Sequence, residues 1–235
     1  MTAFMHFMVR ILLTCTLLIG YAGASQAQPA FEEGVLLYKV DTLERLSENP
    51  TPLSIVQMKV YKKGNLARQE MIMVNANNPS DTLRMVQIRN ANGIFICMEN
   101  EKMAILTTYE EEKMDKVNRA ANGHLDTYRV EKTGQEVSLA GITTERVFLK
   151  NADNTKSFEA LVSADLDSPV TLFFEPLSQL KGTPLQFSER EVDWVIRYTA
   201  IAVKPQPVAP QLFDINPDFM VITMKQMLEM GHSKN

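Results

Sequence analysis

The sequence predicts a mainly β (α+β) protein: a single curved antiparallel sheet forming a half-barrel, with a few helices packed on its concave side. Two observations predict it. Short segments alternate apolar and polar residues with a period of two, as strands do when they bury one face. Clusters rich in Asn, Asp and Gly separate these segments at short spacing, so neighbouring strands run antiparallel as a meander. Composition agrees: of 235 residues, 45% are hydrophobic and 22% charged, with 24 Lys and Arg against 28 Asp and Glu. Such a chain can bury a core and is not a disordered polymer. A net charge of -4 argues against a dedicated nucleic-acid binder, whose phosphate contacts need a basic surface.

The start of the chain reads as an export signal. Arg10 is the only charge before Glu32, and Ile11, Leu12, Leu13, Leu17, Leu18 and Ile19 form an apolar run after it. Small residues then offer cleavage after Ala27 or after Ala24, so residues 1-27 are expected to be a signal peptide and 28-235 a single domain. The apolar run to Ala24 is shorter than the roughly 20 residues that span a bilayer. No later stretch is long and apolar enough to do so, and Cys15 sits too far inside the run for a lipid-anchor motif. A periplasmic or secreted protein is therefore expected. Cleavage would remove Arg10 and take the charge from -4 to -5. It would also leave Cys97 alone, so no internal disulfide can form.

In order along the chain, Val56-Gln57-Met58-Lys59-Val60-Tyr61-Lys62 is the first clear strand, and Lys63-Gly64-Asn65 is its turn. Leu66 to Val74 alternates again, and Asn75 to Asp81 reads as a polar spacer. Thr82 to Ile88, Ile94 to Met98 and Met103 to Thr108 follow as strands. Glu110 to Ala121 leads with acids and ends with bases, which suits a helix and its dipole. Strands resume at Tyr128 to Lys132, Glu136 to Leu139, Thr143 to Lys150 and Ser157 to Val162. A short helix is expected over Thr171 to Leu180, then strands at Pro184 to Arg190 and Trp194 to Val203. Lys204 to Pro210 carries three prolines and reads as an extended surface crossing, because proline lacks the amide donor a sheet needs. Leu212 to Ile215 docks behind it, and Asp218 to Met230 reads as a terminal helix.

Catalytic candidates are scarce. After the signal only His124 and His232 remain, both in polar stretches, and no nucleophile elbow, zinc-binding histidine pair or phosphate loop occurs. The sequence therefore predicts a protein that is not an enzyme and holds no cofactor. Asp165 and Asp167 read as parts of a polar loop beside Ser168-Pro169. Glu110-Glu111-Glu112 reads as a helix start, and Cys97, in an apolar run, as a buried thiol. Met224, Met227, Met230 and His232 have the donor chemistry for Cu(I), although the same spacing is that of a helix's apolar stripe. Val56, Met58, Val60, Met85 and Met103 fall on strand faces that can line a cavity, and methionine adapts to irregular apolar ligands. The same positions also suit an ordinary core.

Phe31-Glu32-Glu33-Gly34-Val35-Leu36-Leu37-Tyr38 and Lys63-Gly64-Asn65-Leu66-Ala67-Arg68-Gln69-Glu70 carry a family likeness. They resemble the opening and second hairpin of an exported bacterial family of unknown function, related to lipoprotein carriers with the LolA/LolB-like fold. Leu139 to Val147 and Lys181 to Phe187 resemble two later strands of that family. The resemblance implies an incomplete barrel around an apolar cavity capped by helices, with no catalytic residues to transfer. Ile142 and Glu145 depart from it, standing where the family often has an aromatic residue and a cysteine or small residue. The arginine that closes the cavity of dedicated carriers has no assigned counterpart. Together these readings point to an envelope protein that binds a lipid or acyl chain in its half-barrel. A structural or interaction module with a filled core and an envelope-protein partner is the second reading, and copper binding through the terminal methionines the third.

Overall fold

The computed structural model describes residues 31-48, 53-122, 127-152, 154, 157-190 and 192-232, without the side chains of 175, 228 and 230-232. Residues 1-27, the expected signal peptide, and His124 lie outside the described residues. Among those described, twelve strands form one open sheet: β1 Glu33–Arg45, β2 Leu53–Lys63, β3 Leu66–Asn75, β4 Asn78–Asn90, β5 Gly93–Met98, β6 Met103–Thr107, β7 Tyr128–Leu139, β8 Ile142–Asn151, β9 Ser157–Ser163, β10 Thr183–Arg190, β11 Trp194–Pro205 and β12 Met220–Thr223. Their spatial order is β12-β6-β5-β4-β3-β2-β1-β11-β10-β9-β8-β7. Two meanders, β2 to β6 and β7 to β10, are joined through the long β1–β11 pair. Every pairing is antiparallel except β12 with β6, which is parallel. Gly64 takes a φ of 55° in the β2–β3 turn, a conformation that costs glycine nothing.

Alternation along the strands sorts side chains onto two faces, and each face carries a core. The inner core includes Leu36, Tyr38, Met58, Val60, Leu149, Leu185, Phe187 and Tyr198. It is covered by two 3-10 turns, Pro169–Leu172 and Glu175–Gln179, which touch β2, β10 and β7. One short segment meets strands that far apart in the sheet order because the sheet curves around it. Phe174 sits between the turns with its ring 4.9 Å from Phe187 and 5.2 Å from Tyr198. These turns replace the helix expected over Thr171 to Leu180. Pro176 offers no amide donor to the Leu172 carbonyl, so the helical ladder cannot run through the segment.

On the outer face Val86, Ile88, Phe95, Cys97 and Ala104 form a second core with Val208 and Phe213. The proline-rich crossing is thus a cover for this face. Arg68 donates to the Leu212 carbonyl at 2.9 Å, and Asn90 donates to that of Phe213 at 2.9 Å.

Helix α1, Tyr109–Ala121, forms where the acid-to-base gradient places it. Thr108 and Glu111 cap each other's backbone amides in a capping box. None of its residues is buried, however, so the expectation of helices packed on the concave side is met by the 3-10 turns and not by α1. At the end of the chain the expected helix begins later. Met220–Thr223 pairs beside β6 because Val221-Ile222-Thr223 is a β-branched run next to an unpaired strand edge. Helix α2, Met224–His232, then starts with Thr223 and Gln226 bonding each other's amides. β4 reaches back into the expected polar spacer. The two segments expected at 128-132 and 136-139 are one strand, β7, whose register shifts between Lys132 and Glu136.

Candidate functional site

The register shift in β7 opens a hollow on the inner face. Val147 lies opposite Lys132 and Glu145 opposite Glu136, so residues 133-135 bulge away from β8, with Gly134 at a φ of 70°. The space beside the bulge measures about 430 Å³. Val130, Val147 and Val162 form its floor and Leu180 one wall. Charged groups stand at the rim: Lys132, Glu136, Glu145, Asp165 and Lys181. Lys132 lies 2.7 Å from Glu145, and this hydrogen bond holds the Glu145 carboxyl below its usual range. The Gly134 amide donates to the same carboxylate at 3.3 Å. An apolar floor under a charged rim suits an amphipathic molecule with an apolar body and a polar end.

The residues singled out in the sequence sit elsewhere. Met58 and Val60 have no solvent exposure and are packed within the inner core. Val56 is the extra residue of a bulge, since Ile55 pairs with Met73 and Gln57 with Ile72; it is 43% exposed. Met85 and Met103 are half-buried on the inner face of β4 and β6. None of the five lines the 430 Å³ hollow. What separates these residues from the hollow is the curvature of the sheet and the reach of residues 164-181 across it. The signal that was available is the alternation of Val130, Val147 and Val162 in three successive strands, each of which the sequence identifies as a strand.

Other chemistry is accounted for by packing. Cys97 is buried on the outer face, and burial pushes its thiol up, away from the reactive thiolate. A second hollow of about 670 Å³ lies there between β3 to β5 and the 211-219 segment, lined by Arg68, Cys97, Glu99, Lys102 and Asp218 among others. Glu70 beside it bonds Arg68 at 2.7 Å and Arg84 at 2.8 Å. Burial raises its carboxyl, but the two guanidinium groups outweigh burial and hold it below the usual value. Asp165 and Asp167 do not act as a pair: Asp167 bonds Lys62 at 2.7 Å, while Asp165 stands on the hollow's rim. Glu112 of the acidic triplet is held by Arg89 and Lys116. Among the described residues no group of three His, Cys, Asp or Glu is placed to hold a metal. Met224 is exposed at the start of α2 and Met227 half-buried, whereas the side chains of Met230 and His232 lie outside the described residues. No described helix is long and apolar enough to cross a membrane.

Residues 48-191, more than half of the chain, match the family described as "Domain of unknown function (DUF4412)". The chain belongs to the DUF4412 family. The DUF4412 stretch holds β2 to β10 and with them the inner hollow, while β1 and β11, which join the two meanders, flank it. No curated protein matches the chain. Among solved structures it is similar to an uncharacterized conserved protein from Thermus thermophilus, at 9% identity and a TM-score of 0.47, over 81% of this chain and 90% of that one. It is also similar to MucB, at 14% identity and 0.40, over 86% and 66%. LprF from Mycobacterium bovis matches at 10% identity and 0.32, over 83% and 93%.

Proposed function

We propose that this protein is an exported, non-enzymatic envelope protein, related to the LolA/LolB-like carriers, that binds a lipid or acyl chain on the inner face of its half-barrel. The observation that carries the reading is the 430 Å³ hollow with its valine floor and charged rim. Its volume lies within the roughly 300–1,000 Å³ of ordinary ligand sites. The floor would hold methylene groups, and Lys132 or Lys181 at the rim would meet an anionic head group. Glu145, which departs from the resembled family, is the residue that positions Lys132 there.

A second reading has its own support. Met58, Val60, Leu185 and Phe187 are fully or almost fully buried, so much of the inner face is filled by the chain itself. On that reading the domain is a structural or interaction module whose partner is another envelope protein.

Native mass spectrometry of the protein purified from its source cells separates the two. A bound lipid or fatty acid near one per chain supports carriage, and Val147→Trp, which fills the hollow, should then remove it. An unliganded mass, with no uptake of added oleate or phospholipid, refutes carriage and leaves the module.

A further inference from the structure

Six methionines from six strands lie in one line across the inner face. Met58 of β2 pairs with Met71 of β3, and Met71 with Met85 of β4. Met85 pairs with Met98 of β5, Met98 with Met103 of β6, and Met103 with Met220 of β12. Directly opposed residues share a face, with Cβ atoms about 4.5–5.5 Å apart in antiparallel pairs. Of the two flanking rows on the same face, Val60, Gln69, Gln87, Ile96, Ile105 and Ile222 contain no methionine, and Ile55, Met73 and Leu83 contain one. A general habit of filling cores with methionine would spread it evenly over the three rows, whereas six lie in one row and one in its neighbours.

The row runs from interior to edge. Met58 is fully buried, and its thioether accepts a hydrogen bond from the Gln69 amide at 3.1 Å. Met71 is 6% exposed, Met85, Met98 and Met103 are half-buried, and Met220 is 56% exposed. Shape-filling would favour methionine at the buried end, yet it continues to the open end of the row. The thiol of Cys97 lies on the opposite face, in the outer core. What the accessible part of the row presents is therefore a file of neutral, soft thioethers with no harder donor between them.

We propose that Met85, Met98, Met103 and Met220 bind a soft monovalent cation, Cu(I) or Ag(I). Thioether sulfur prefers such ions over Zn(II), Mg(II) or Ca(II). Neighbouring sulfurs on flexible side chains can close on one ion from two or three strands, and the next sulfur in the file can exchange with them. The site is distinct from the Met224, Met227, Met230 and His232 set of α2, and it does not depend on lipid binding at the β7 to β9 end.

The test uses the whole protein. Competition with bicinchoninate for Cu(I), without oxygen, should show one ion bound per chain. The combined change Met85→Leu, Met98→Leu and Met103→Leu keeps bulk and apolarity, so fold and lipid uptake should persist. It should weaken Cu(I) binding about tenfold or more, the loss that removing even an outer-shell partner of a metal ligand typically brings. Met224→Leu, Met227→Leu and Met230→Leu should leave the affinity unchanged. With methyl-labelled methionine in the unaltered protein, added Ag(I) should shift the methyl signals of residues 85, 98, 103 and 220. No ion bound, an affinity indifferent to the first triple change, or signals that move only in α2 would each overturn the proposal. Lipid uptake that fails while Ag(I) still binds the row would overturn the carrier reading alone.

Discussion

Phe174 is the side chain through which the 164-181 segment grips the curved sheet, and its truncation tests whether that segment is part of the fold. It is 7% exposed, and its ring meets Phe187 and Tyr198 at 4.9 and 5.2 Å. Burying a phenylalanine removes at least about 150 Å² of apolar surface, which at roughly 25 cal/mol per Å² is about 4 kcal/mol. Phe→Ala changes in packed cores cost about 3–5 kcal/mol, a range that contains that figure. Against a total stability of about 5–15 kcal/mol, Phe174→Ala should consume a large part of the margin. Urea unfolding is the assay, followed by the single tryptophan, Trp194, which is half-buried beside the inner core. The expected result is a loss of about 3–4 kcal/mol, with Phe174→Leu costing less because most of the volume is kept. A loss below about 1 kcal/mol would refute the reasoning, since it would mean that the segment lies on the sheet without closing the inner core.

Two further outcomes follow from the outer face and the turns. Glu70 ionises more readily folded than unfolded, so its stabilisation is full above the ordinary carboxylate range and is lost as the pH falls through the lowered value. Glu70→Gln should cost about 1–3 kcal/mol at neutral pH, with Arg84 half exposed and screened, and should flatten the acid limb of a stability-against-pH curve; an unchanged acid limb would refute the assignment. Gly93 has a φ of 144°, and a Cβ there would lie 2.6 Å from the Thr107 carbonyl. Gly93→Ala should therefore destabilise the β4–β5 turn by more than about 1 kcal/mol, measured by thermal unfolding.

Most strands were legible because they write their burial into a two-residue alternation, as in Val56 to Lys62 or Thr143 to Lys150, and because Gly64 and Asn90 to Gly93 mark their turns. β1 was not, since Val35 packs on the outer core while Leu36 and Tyr38 pack on the inner one, which leaves an apolar run without alternation. The helix at Glu110 to Ala121 was equally legible from its charge gradient, since capping and dipole terms act within one or two turns of chain. Three things were decided only in the tertiary structure. The terminal segment from Met220 became a strand because β6 offered an unpaired edge, and an edge is made by a partner far away in sequence. The inner cover fell to the 3-10 turns and not to α1, because which side chains meet across a curved sheet depends on the summed twist of many strands. The methionine row exists for the same reason. Each methionine sits unremarkably in its own strand, and only the registers of five strand pairings, set by bulges and turn lengths, bring six of them into line.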